Sequence, residues 1–189
     1  MGKVTKMIFG FLMIFFVILS CNESSIKNID INISRFYIKE IGYKNFNLIK
    51  LNNINIDNLN RIDSVFESQI KNKYTNGNKV REYYYYSVLD TTKYYSIVLY
   101  RYHEYYKSFE VFNILKSGNI IDSETLFLSG GDGEYFYETE SKFVNDSIIK
   151  QESKEGYYSY DPDSLIIDKS EKSIIKLKST GKILVKKKH

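Results

Sequence analysis

Apolar residues fall along this chain in three successive patterns. The first is an unbroken run over residues 7–19, preceded by Lys3 and Lys6 and closed by Ser20. The second has helical spacing: over 57–71, Leu59, Ile62, Val65, Phe66 and Ile70 recur so as to share one face, and Asp57 stands where an N-cap belongs. The third begins near Lys79 and consists of short β-prone runs separated by turn residues. It predicts strands over 80–89, 94–102, 106–115, 119–128, 134–144, 147–153, 164–178 (continuous or broken by a turn) and 182–187.

The connections carry matching chemistry. Asp90-Thr91-Thr92-Lys93, Lys116-Ser117-Gly118-Asn119, Gly130-Gly131-Asp132-Gly133, Asn145-Asp146 and Thr180-Gly181 all favour tight turns. Strands this close join as hairpins, so the fold class expected is mainly β with one helix: an antiparallel meander of about eight strands. An open curved sheet and a barrel-like closure satisfy the pattern equally. Ahead of the helix, 33–39 and 45–51 read as a strand or strand pair broken near Gly42, and Asn76-Gly77-Asn78 ends that region. In the first long strand Tyr84, Tyr86 and Val88 alternate with Tyr83, Tyr85 and Leu89, so both faces are partly apolar and the strand fits the sheet centre, one face on the core and the other under tyrosine rings or the helix.

The N-terminal run is a leader rather than part of this fold. Two lysines, a short apolar core and a small residue before Cys21 are the layout of an export signal. The run is shorter than the roughly 18 to 20 residues that span a bilayer. Ile18-Leu19-Ser20-Cys21 resembles the lipobox of bacterial lipoproteins, and the chain as a whole resembles the small lipoproteins of the bacterial envelope. That resemblance implies cleavage between Ser20 and Cys21, a thioether-linked diacylglycerol on the Cys21 sulfur and a further acyl chain on the new amino group. By the same resemblance Asn22 favours the outer membrane in a Gram-negative cell, with the periplasmic or outer face left open. The chemistry agrees, because Cys21 is the only cysteine in the chain and has no internal disulfide partner. Two or three acyl chains anchor stably where one binds only marginally. The expected organisation is therefore a leader over 1–20, a lipidated Cys21 with a polar tether over 21–32, and one β-rich domain over 33–189.

Composition changes this picture little. Loss of the leader leaves 169 residues, suited to one domain, and takes the formal charge from +4 to +2. That near balance argues against nucleic acid as a main partner. Eight lysines between Lys169 and Lys188 read as a solvated strand face. Ile, Asn, Lys and Tyr are abundant, the bias of an AT-rich genome, and this dilutes the meaning of each tyrosine cluster.

Candidate chemistry is sparse. His103, at a strand end and expected on the surface, is the one histidine besides C-terminal His189, so neither a zinc site nor a triad can be built in the ordinary way. No cofactor motif is recognisable. Glu134, Glu138 and Glu140 fall on one strand face, and Glu138 with Glu140 is the pair a glycoside hydrolase would need. Lys142 continues that face, which favours a solvated surface. Asp132, in the loop 129–134, is the candidate cation ligand, although the spacing is not that of an EF-hand; a hairpin with glycines at positive φ explains the loop as well. Asp63-Ser64-Val65, Asp90-Thr91-Thr92, Asp146-Ser147-Ile148 and Asp163-Ser164-Leu165 resemble an O-glycosylation acceptor pattern of exported bacterial proteins, which implies Ser64, Thr91, Ser147 and Ser164 as acceptors. The tyrosines at 83–86, 94–95, 100–106 and 157–160 offer area for a protein or glycan partner. Together these observations favour a non-enzymatic envelope binding module. An envelope polysaccharide hydrolase using Glu138 and Glu140, and a purely structural lipoprotein, are the alternatives.

Overall fold

The computed structural model describes residues 31–38, 41–42, 51–74, 82–159 and 164–188. Cys21, the leader, residues 22–30 of the expected tether, residues 45–50 of the expected strand 45–51, the turn at 76–78 and Asp161 to Asp163 lie outside the described residues. Ile31 of the expected tether is instead buried in the core, and Leu51 is helical, not strand. Eight strands follow one another in sequence: β1 (Glu82–Asp90), β2 (Tyr95–His103), β3 (Tyr106–Ile114), β4 (Ile120–Asp132), β5 (Tyr135–Asn145), β6 (Ile148–Tyr158), β7 (Leu165–Leu177) and β8 (Ile183–Lys188). They form one antiparallel sheet in the order β1 to β8, so the meander stays open. The stretch 164–178 is one continuous strand.

Only one helix of defined length accompanies the sheet among the described residues, α1 (Ser64–Tyr74). It starts later than residue 57. Asp63 caps it, its Oδ1 accepting the Phe66 N–H at 2.8 Å, while Ile56–Asn58 forms a 3-10 turn capped by Asn55. Residues 60–62 are extended because they pair with β1: Ile62 N–H donates to Tyr83 O and Tyr85 N–H to Asn60 O. Bonds to an open strand edge outweigh a local helical preference of a few tenths of a kcal/mol per residue. The expected strand 33–39 is likewise corrected. Ile33–Arg35 is a 3-10 turn capped by Asn32, and of the remaining described residues to 38 only Ile38 bridges β1, opposite Ser87. Tyr37, Ile38 and Gly42 donate to Tyr85, Tyr86 and Val88 carbonyls, which completes the cover over that edge.

Both faces of β1 to β3 are buried, as the two-sided apolar pattern requires, but β1 ends the sheet and does not occupy its centre; the layers on its two faces bury it there. Against one face pack Phe36, Ile62, Phe66 and Ile70, meeting Tyr83, Tyr85, Val88, Leu99 and Phe112. Against the other lie Tyr84, Tyr86, Leu89, Tyr100 and Phe109 with Leu126, Ile149, Ile175 and Leu177. Val88 and Leu89 have exchanged faces relative to simple alternation because β1 bulges between Tyr85 and Ser87 and again after Val88.

The second core depends on a divergence at β4. β3 pairs with nearly the whole of β4, but β5 pairs only with Leu128 to Asp132. Beyond that point β5 to β8 swing away and their far end returns across β3 and β4. Asn113 Nδ2 donates to Gly181 O at 2.8 Å, Ile183 N–H to Asp122 Oδ2 at 3.1 Å, and Gln151 Nε2 to Thr125 O at 2.7 Å. The β7–β8 turn is thereby fixed over the first half of the sheet, and among the described residues no layer covers the opposite end of β5 to β7.

Candidate functional site

The projecting end carries a group of large apolar side chains in solvent. Register places Tyr135, Tyr157 and Ile166 side by side on one face, and Phe136, Gly156 and Ile167 on the other. Tyr158 faces Leu165 at the margin. Tyr158 is 55% exposed, Leu165 49% and Ile167 47%, while Tyr158 also packs on Phe136 with ring centroids 5.4 Å apart. Scattered exposed apolar residues are ordinary, but a group of them on each face at one end of a sheet is not. Glycine makes the tight lattice possible: a Cβ on Gly156 would stand 2.0 Å from Ile166 O, and one on Gly131 would stand 2.1 Å from Tyr135 O. The Ser129–Glu134 segment is thus mainly strand. Only Gly133 has positive φ there, at 63°, and Gly130 and Gly131 are needed for close approach rather than for a turn.

Charge frames the patch. The Tyr135 hydroxyl donates to Glu155 Oε2 at 2.9 Å, and Lys169 Nζ lies 3.2 Å from the same carboxylate. The Tyr135 hydrogen bond, then Lys169, hold the Glu155 carboxyl below its ordinary pKa, and that same hydrogen bond raises the Tyr135 phenol. Next to it, Tyr137, Thr139, Ser153, Glu171 and Lys187 line an open groove of about 360 Å³, in which Thr139 and Ser153 hydroxyls share a 2.9 Å hydrogen bond and Lys187 pairs with Glu171.

A larger groove of about 450 Å³ lies where β5 to β8 leave β4. Across it run two register rows on one face: Glu140, Glu152, Lys172, Lys188, and then Lys142, Lys150, Ile174, Lys186. Phe127 contributes to its floor, and Ser141, Gln151 and Ser173 are joined by hydrogen bonds beneath the charged rows.

Of the candidates in the sequence, Glu138 and Glu140 share a face of β5, opposite Lys154 and Glu152 respectively. Glu134 belongs to the turn and leaves that row. Asp132 ends β4, exposed, and no group of three or more His, Cys, Asp or Glu that could hold a metal forms among the described residues. His103 is not on the surface: it is 7% exposed, stacks on Tyr106 at 4.5 Å, and accepts the Tyr105 N–H at Nδ1. Tyr83 to Tyr86 and Tyr100 are core residues; of the described tyrosines in those groups Tyr105, Tyr157 and Tyr158 are exposed, and Tyr135, outside them, is exposed beside Tyr157. Ser64 opens α1 and is exposed. Thr91 and Ser147 sit half-buried in turns, where Ser147 N–H and Oγ both bond Asn145 Oδ1. Ser164 is exposed immediately before β7.

The apolar triplet Leu165-Ile166-Ile167 escaped sequence reading as a surface. Its signal was three consecutive apolar residues opposite Tyr157-Tyr158, which no alternating strand with one wet face would carry. No helix among the described residues is long and apolar enough to cross a membrane. Comparison with family models, with curated proteins and with solved structures finds no match to this chain.

Proposed function

We propose that this chain is an exported lipoprotein of the bacterial envelope, held to the membrane by acyl chains on Cys21, whose domain is a non-enzymatic binding module. Its contact surface is the uncovered end of β5, β6 and β7. The carrying observation is the exposure of large apolar side chains on both faces of that end, Tyr135, Tyr157 and Ile166 on one and Tyr158, Leu165 and Ile167 on the other. Aromatic residues give contact area at low entropic cost, and a polar rim such as Glu155 and Lys169 surrounds the apolar centre of most protein interfaces. The lipobox-like stretch supports the anchor, and in a Gram-negative cell the outer membrane is its destination. The polar stretch between Cys21 and Ile31, where the domain's core begins, is the expected tether that lets the domain reach a partner near that membrane.

A photo-reactive amino acid at Tyr157, compared with one at Lys93 in the β1–β2 turn, tests this in intact cells. A discrete adduct from position 157 alone, abolished by Ile166→Ser in the same chain, is the expected result. Equal labelling from both positions, or an adduct indifferent to Ile166→Ser, refutes the assignment. On the same reading Glu138→Gln with Glu140→Gln leaves the adduct and any cellular function intact; loss of function with a normal melting curve instead supports the carboxylate chemistry of a hydrolase.

A further inference from the structure

The larger groove has a charge pattern that folding does not require. Its two register rows hold five lysines against Glu140 and Glu152. Among the described residues Lys142, Lys150, Lys172 and Lys188 have no ion-pair partner, whereas Lys154, Lys169 and Lys187 each have one. Lysine on β8 is explained by edge protection, because a charged edge strand resists pairing with other chains. Lys142 and Lys150 lie on β5 and β6, inside the sheet, where that explanation fails. Like charges side by side across strands are destabilising, so the Lys142–Lys150 register pair costs stability unless something anionic occupies the face.

Strand geometry sets the spacing of these groups, about 4.8 Å between strands and about 6.8 Å between rows. Such a grid meets anions repeated along an extended chain. Among the described residues the groove is lined by strands alone, so no helix N-terminus is offered to a single phosphate. Half-buried Ile174 adds apolar surface for the C–H face of a sugar ring, and Gln151, fixed by Thr125 O and Ser141 Oγ, keeps the floor rigid. We infer that this groove binds an acidic polysaccharide, a chain of carboxylate- or sulfate-bearing sugars, at a site separate from the apolar end of the sheet. The inference does not depend on lipidation or on the partner surface described above.

The full chain, purified in detergent, is titrated with fluorescein-labelled polyuronate and dextran sulfate, with neutral dextran, inorganic phosphate and glycerol 3-phosphate as comparators. The polyanions bind, affinity falls steeply with added salt, and Lys142→Gln/Lys150→Gln/Lys172→Gln weakens binding about tenfold, as the joint removal of three exposed cations should. Lys93→Gln/Lys107→Gln/Lys178→Gln, with the same change in charge, weakens it less than about twofold. Melting curves confirm that both variants are folded. Absence of polyanion binding at low salt, equal binding of neutral dextran, or equal weakening in the two variants overturns the inference. Competition by phosphate or glycerol 3-phosphate as effective as polyuronate also overturns it, pointing to a single phosphate or a lipid headgroup.

Discussion

Asn113→Ala tests the return of the β7–β8 hairpin across the first half of the sheet. Asn113 is fully buried, its Nδ2 donates to Gly181 O at 2.8 Å, and its Oδ1 has no partner. Truncation strands the Gly181 carbonyl, a loss of about 1 to 3 kcal/mol, and leaves a small cavity costing about 1 kcal/mol. Removal of the orphaned Oδ1 returns about 1 kcal/mol. The net destabilisation is about 2 kcal/mol, which for a domain of this size lowers Tm by about 4 to 8 °C. Urea denaturation followed by circular dichroism gives the free energy, and hydrogen exchange gives the location. Exchange of the Ile183 amide, which donates to Asp122, rises together with that of its β8 neighbours, while β1 and β2 amides keep their protection. A change below about 0.5 kcal/mol, the range of ordinary surface substitutions, with unaltered β8 exchange refutes the proposed packing of the hairpin.

Two glycines separate lack of space from backbone strain: Gly156→Ala places a Cβ against Ile166 O and costs more than about 2 kcal/mol, whereas Gly133→Ala, at φ 63° with open space around it, costs about 1 kcal/mol. The reverse order of melting temperatures contradicts the close strand approach at Gly156. Burial also raises the phenol pKa values of Tyr84 and Tyr86 to about 12 and those of Tyr85 and Tyr100 further. The folded state therefore keeps protons that the unfolded chain releases above about pH 10, so stability is full below that pH and falls as pH rises through the folded values. Tyrosinate absorbance at alkaline pH rises in a cooperative step coincident with loss of circular dichroism; gradual independent titration of all tyrosines contradicts their burial.

Most of the strand order was legible because it is written locally. Alternation and turn residues such as Lys116-Ser117-Gly118-Asn119 and Asn145-Asp146 place β1 to β8 within a few residues of where they stand. What was illegible is non-local. Residues 57–62 have helical spacing, yet Leu59 and Ile62 are drawn into separate cores by the demand of β1 for edge partners. The bulge at Ser87 shifts the phase of Val88 and Leu89 with no residue that announces it. The choice between an open sheet and a barrel rests on β4 pairing with β5 over only its last residues, a property of twist and register that composition does not carry. The site was hidden for a related reason. Tyrosine clusters read first as core and sheet-face packing, and only their exposure at the end of β5 to β7 separates Tyr157 and Tyr158 from Tyr85 and Tyr100.

Intact mass and membrane fractionation of wild type and Cys21→Ala test the central claim most directly. The account predicts a mature chain beginning at Cys21, carrying diacyl or triacyl mass, in the membrane fraction, and an unlipidated, unprocessed or soluble product in the variant. A wild-type chain without acyl mass, or one that stays membrane-bound equally in Cys21→Ala, contradicts it.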